Sequence, residues 1–216
     1  MPKILLSLLV AIFTVSCQKN TKPPSLVELT NLKNYSVTET KINDSITKIS
    51  GKNSDNMIVG NFNKNQNKRE GWWKIESKKR DEIIEIEYVI LDKEKVNQVK
   101  TYVGGTLIKS LSRYYVIENT DNKFRVKFYF IENLENNDKN EHRKEKYEVT
   151  YRILDTISNK IQRELTEDLQ KNKNYYYFET PKNKNENGIV GFADKLLFEK
   201  VNDSVQLSVE TIHFRD

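Results

Sequence analysis

Few side chains in this sequence are equipped for chemistry: it has one cysteine, Cys17, and two histidines, His142 and His213. Neither histidine lies in a His-Glu-x-x-His run and no second cysteine supplies zinc-site spacing, so no metal centre is expected. His142 falls in a charged loop, and His213 in a strand-like run near the C-terminus. Nucleophilic catalysis also lacks a setting, because there is no Gly-x-Ser-x-Gly elbow and no glycine-rich phosphate loop. Glu85 and Glu87 stand two residues apart on an apolar-rich run, which places both on one face of a strand. Glycoside hydrolysis needs two carboxyls flanking a cleft, about 5–9.5 Å apart and in different environments. Acids on one sheet face among lysines are ordinary solvated surface. No catalytic residue and no cofactor is therefore expected.

The aromatic residues are better candidates. Trp72-Trp73 and Tyr175-Tyr176-Tyr177 place neighbouring rings on opposite faces of their strands. A ring left exposed on a sheet stacks on a sugar or on a partner's apolar patch. Trp72, Trp73 and Tyr176 are the candidate binding surface, with Trp72 foremost. The competing reading is a two-layer β protein that buries both faces of a central strand and so consumes these rings in packing.

The lone cysteine gains meaning from what precedes it. Lys3 is followed by an apolar run of ten residues, Ile4 to Phe13, and then by Thr14-Val15-Ser16-Cys17. A charged start, a short apolar run and a small residue are the three parts of a secretory signal peptide. The run is too short for a stable membrane span, which takes roughly 20 residues. Thr14-Val15-Ser16-Cys17 resembles the lipobox of bacterial lipoproteins. That resemblance implies a diacylglycerol on the Cys17 thiol, cleavage before Cys17 and acylation of the new amino group. The mature chain would then have 216 − 16 = 200 residues. Several acyl chains make attachment effectively permanent, whereas one binds only marginally. Gln18 stands where an aspartate would resemble an inner-membrane retention signal, and Gln18 to Lys22 holds no acid cluster. The expectation is a lipid anchor in the outer membrane with the protein facing the periplasm.

Composition bounds the rest. The chain is 31% charged with a net charge of +5, yet it carries eleven tyrosines and nine phenylalanines. Disordered chains lack such aromatic content, so a folded core inside a Lys- and Asn-rich shell is expected. Lysines are interleaved with acids along the chain, a pattern that serves solubility and guards strand edges. Nucleic acid is accordingly not an expected partner.

Read in order, residues 1–16 are the signal peptide, and 17–34, with Pro23-Pro24, are the lipidated cysteine and a flexible tether. From Tyr35 to residue 106 strands alternate with turns, the turn-formers being Asn43-Asp44-Ser45 and Gly104-Gly105. Val59-Gly60-Asn61-Phe62, a polar loop and Arg69-Glu70-Gly71-Trp72-Trp73-Lys74-Ile75 resemble a MORN-like hairpin repeat. The resemblance covers residues 45–105 with one well-formed unit, and it implies an antiparallel hairpin sheet with a scaffolding or binding role. Residues 107–216 alternate more densely. Phe124, Val126, Phe128 and Phe130 share one strand face, and Tyr147, Val149, Tyr151 and Ile153 share another. Further strands are expected at 175–179, 189–193, 196–201 and 204–214, which together argue for an antiparallel β-sandwich. Ile157, Ile161, Leu165 and Leu169 recur every four residues. They fit one face of a helix, while the last three also fit one face of a strand, so residues 157–170 remain open.

Asp44-Ser45-Ile46, Asp155-Thr156-Ile157 and Asp203-Ser204-Val205 repeat an Asp-Ser/Thr-apolar pattern. It is similar to an O-glycosylation acceptor of some envelope proteins, which would mark Ser45, Thr156 and Ser204. It is also how a turn hands over to a strand. The fold class expected is mostly β, and the function expected is a non-enzymatic envelope lipoprotein that binds or scaffolds a protein or glycan partner. The alternative is a glycan-active enzyme or solute-binding lipoprotein with a site built from loops.

Overall fold

The computed structural model describes residues 24–131, 143–158, 160–202 and 204–216; Cys17 and His142 lie outside them. The described chain is mostly β, as expected, and every strand pairing is antiparallel. Strands β1 (Ser36–Lys41), β2 (Ile46–Lys52), β3 (Asn56–Asn63), β4 (Lys68–Ser77), β5 (Glu82–Ile90), β6 (Glu94–Val103) and β7 (Thr106–Leu107) form one seven-stranded meander. Local chemistry closes its turns. The Asn43 side chain accepts from the backbone N–H groups of Ser45 and Ile46, and Asn53 does the same for Asp55 and Asn56. Gly104 and Gly105, both at positive φ, make the last turn.

One face of this meander is the core of the N-terminal half. Ile49, Ile58, Trp73, Ile75, Ile84, Ile86, Tyr88 and Val99 are buried there, under Leu29, Leu32 and Tyr35. The cover comes from a short helix, α1 (Leu26–Leu29), opened by a capping box between Ser25 and Glu28. Tyr35 Oη donates to the Leu29 carbonyl at 2.7 Å and ties the cover to β1. Of the flexible tether expected over 17–34, residues 25–34 are instead held in place by the cap and the burial of Leu29, and residues 17–23 lie outside the described residues.

The remaining strands are β8 (Tyr114–Asn119), β9 (Lys123–Tyr129), β10 (Arg143–Asp155), β11 (Lys160–Asp168), β12 (Gln170–Lys171), β13 (Tyr176–Pro181), β14 (Gly188–Val201) and β15 (Ser204–Arg215). They make two four-stranded sheets, ordered β11-β10-β14-β15 and β12-β13-β9-β8. Their facing side chains merge into one core, with Phe124, Val126, Phe128 and Phe178 from one sheet. Val149, Tyr151, Ile153, Ile189, Ala193, Ile212 and Phe214 come from the other. Phe128 meets Phe214 at 5.3 Å between ring centroids, and Tyr151 meets Phe178 at 4.5 Å.

Three expectations shift. The boundary at 106/107 falls within the β6–β7 hairpin, and the two-sheet unit begins at Tyr114. The separate strands expected at 189–193 and 196–201 are one, β14, because Lys195 keeps its stem buried. Its ammonium reaches Glu145 at 3.6 Å, so the inner face continues through a charged residue. Residues 160–168 are strand, in register with β10. Backbone pairing decides this over the four-residue period, and Ile161 and Leu165 remain exposed on it.

The two halves are joined through β6. Between Glu87 and Tyr88 the β5–β6 register slips, leaving Asn97 as the extra residue of a bulge. Consecutive residues Asn97, Gln98 and Val99 are consequently all buried. Asn97 reaches His213 on β15, Gln98 Oε1 accepts from the Tyr115 N–H at 3.3 Å, and Val99 bridges to Arg113.

Candidate binding surface

The open face of the meander opposes the covered one, and Trp72 sits on it. Cross-strand register builds the surroundings: Lys48 lies opposite Asn61, Val59 opposite Lys74, Lys74 opposite Glu85, and Glu85 opposite Lys100. These side chains line a shallow, open hollow of about 460 Å³ beside Gly60 and Trp72.

The hollow owes its shape to a bulge. Gly71, Trp72 and Trp73 of β4 face Gly60 alone on β3, and Gly71 takes φ +67°. Trp73 turns inward across Gly60, is 0% exposed and donates its indole N–H to the Asn61 carbonyl at 3.0 Å. A Cβ at Gly60 would overlap that ring. Trp72, on the opposite parity, is 40% exposed. The two rings are divided between the faces, and Trp73, offered as a candidate for the binding surface, packs in the core instead.

Charge gathers around the exposed ring. Lys100 Nζ lies 4.8 Å from the Trp72 ring centroid and 5.8 Å from that of Tyr114, while Lys74 pairs with Glu76 at 3.2 Å. Tyr102 Oη donates to Glu85 at 3.4 Å. Burial, followed by the charge of Glu85, pushes the Tyr102 hydroxyl up, and burial and the neighbouring tyrosines push Tyr114 up to about 12. Both move away from neutrality, the opposite of what a general acid or base requires. The arrangement offers an aromatic platform, ammonium donors and a carboxylate acceptor. Residue types alone marked Trp72; the convergence of Lys48, Lys100 and Glu85 on it depends on hairpin registers that turn positions indicate only coarsely.

Tyr176 is elsewhere. It is half-buried at the end of the two-sheet core and stacks on Tyr147 at 3.7 Å between centroids, so it shares no surface with Trp72. Glu87 is occupied by amide donors from Asn97 and Gln98, each at 2.7 Å. His213 is half-buried; desolvation and the charge of Lys95 hold its imidazole below the usual value despite Asp194. Among the described residues no group of three or more His, Cys, Asp or Glu side chains is placed to hold a metal, and no helix is long and apolar enough to cross a membrane.

Ser45, Thr156 and Ser204 lie at or beside three separate strand-joining turns. Thr156 and Ser204 are exposed, while the half-buried Ser45 hydroxyl accepts from Asn65 at 2.8 Å. Asp155 accepts from the N–H groups of Ile157 and Ser158, as a turn-forming aspartate does. Set beside known proteins, the chain matches no family model, no curated sequence and no solved structure.

Proposed function

We propose that this protein is a bacterial envelope lipoprotein, fastened through a lipid on Cys17, that binds another envelope component through the Trp72 face of its meander. The anchor reading rests on Lys3, the apolar run, Ser16 and the single cysteine, and Gln18 favours the outer membrane with the domain in the periplasm. The observation that carries the binding reading is the half-exposed Trp72 ring, held at the edge of a hollow among Lys48, Lys74, Lys100 and Glu85. A non-enzymatic role is favoured because the hollow is open and holds a single carboxylate, Glu85. The resemblance of the Gly60–Trp73 hairpin to MORN-like units agrees with scaffolding.

A glycan- or solute-binding variant of the same reading is favoured by the hollow's volume, which lies in the range of small-ligand sites, roughly 300–1,000 Å³. Co-purification from gently solubilised membranes, wild type against Trp72→Ala, tests the binding face. Retention of every partner by the variant would remove the reading. Metabolic labelling with a fatty acid tests the anchor, and an unlabelled wild-type protein would remove that.

A further inference from the structure

Strand β15 is the outermost strand of its sheet, and its outward edge changes character along its length. Toward the C-terminus the edge is satisfied by side chains. Asn97 takes both the N–H and the carbonyl of His213, and the Arg215 N–H donates to Tyr115 Oη at 3.4 Å. In an antiparallel pair, alternate residues aim their backbone groups at the same side. The β14–β15 register is unbroken, so Val205, Leu207 and Val209 point their N–H and C=O groups out on this edge. Among the described residues nothing meets them there.

Such an edge is normally blunted with lysine, proline, a bulge or a covering loop. The run Ser204-Val205-Gln206-Leu207-Ser208-Val209 has no charge and no proline, in a chain that is 31% charged. Val205, Leu207 and Val209 are 67%, 55% and 53% exposed. On the same face Leu196 lies opposite Val209 and Phe198 opposite Leu207, so an apolar band runs inward from the edge until it meets Lys146 and Lys144 on β10.

We infer that this edge pairs with the same edge of a second copy of the chain, antiparallel about a two-fold axis at Leu207, forming one continuous eight-stranded sheet. The apolar–polar pattern is symmetric about that residue: Val205 meets Val209 of the second copy, Gln206 meets Ser208, and Leu207 meets Leu207. No like charges face each other across the seam, since Glu210 lies opposite Ser204. The apolar bands become one band with lysines at its two ends. The uncharged run thus matches itself, apolar on apolar and polar on polar. The register also clears the rest of the molecule. The two Asn97 caps at His213 lie about 40 Å apart along the seam, at 3.4 Å per residue, so the two meanders extend at opposite ends.

The test uses the full chain in mild detergent. Leu207→Cys, under gentle oxidation, is expected to convert most of the protein to a disulfide-linked dimer. Ile161→Cys, on the exposed edge strand β11, and the parent chain with only Cys17 are expected to remain uncrosslinked. Leu207→Lys is expected to halve the mass by light scattering without altering the far-ultraviolet circular dichroism. The proposal is overturned if Leu207→Cys crosslinks no faster than Ile161→Cys, or if the parent chain is monomeric. It is equally overturned if amides 205, 207 and 209 are protected from exchange in a monomer, which would mean that a segment of the same chain covers the edge.

Discussion

The side-chain amide of Asn97 pairs with the backbone of His213 as a neighbouring strand would, accepting from its N–H at 2.7 Å and donating to its carbonyl at 2.8 Å. One side chain from the meander thus completes the edge of a sheet in the other half of the protein. The bulge after Glu87 makes this possible by turning Asn97 out of the strand's regular alternation.

Asn97→Ala should destabilise the protein by about 1–3 kcal/mol, because it strands two backbone groups and one bond to Glu87 in a buried junction. Asn97→Asp should be worse. It loses both donor interactions and sets a second carboxylate beside Glu87. Urea unfolding midpoints of the three proteins check the order.

Gly60→Ala should cost about 3 kcal/mol, as the new methyl overlaps the ring of the fully buried Trp73. Near-ultraviolet circular dichroism, together with chemical unfolding, would report both the displaced indole and the lost stability. A variant as stable as the parent would contradict the packing described.

Trp72→Ala should leave stability within about 1 kcal/mol, since the ring is half-exposed and contributes mainly a surface contact with Lys100. Affinity for the partner should fall by about 2 kcal/mol or more, roughly thirtyfold. Thermal unfolding and a binding titration on the same preparations separate these effects.

Glu186 is buried in the loop before β14 and accepts two bonds from Arg163, each 2.7 Å, and one from the Asn183 N–H at 2.9 Å. Burial pushes its carboxyl up, but these bonds prevail and hold it below its ordinary value of 4.5. The native state thus binds this proton less readily than the unfolded chain. Its contribution is complete above 4.5 and is lost as pH falls through the lower folded value. Glu186→Gln should reduce stability at neutral pH and flatten this part of the acid limb, as read from unfolding midpoints at stepwise lower pH.

Period-two alternation made the core strands legible. Phe124, Val126 and Phe128 all point inward because nothing interrupts their run. Trp72 and Trp73 divided as adjacent strand residues should. What stayed hidden involves departures from that period or contacts distant in sequence. Nothing in the sequence marks Asn97 and Gln98 as buried, because a bulge has no mark in composition. Lys195 read as a break because its buried stem is invisible next to its charge. Residues 160–168 satisfied two periods at once, and only pairing with β10 decides between them. The capping box of Ser25 and Glu28 was present in the sequence as the sign that the chain becomes helical at Leu26. Around Trp72, the ring was readable from its type; its lysine neighbours came from strands that meet only after folding.

The cover formed by α1 fixes where the described chain begins. It lies over the buried side of the meander, so Ser25 and Leu26 stand behind the Trp72 face. With a lipid on Cys17, Pro24 stands only seven residues on from the anchor, a leash of roughly 25 Å at full stretch. Under the proposed anchor, the α1 side of the meander would be the one nearer the bilayer, and the Trp72 platform would be open to the aqueous compartment.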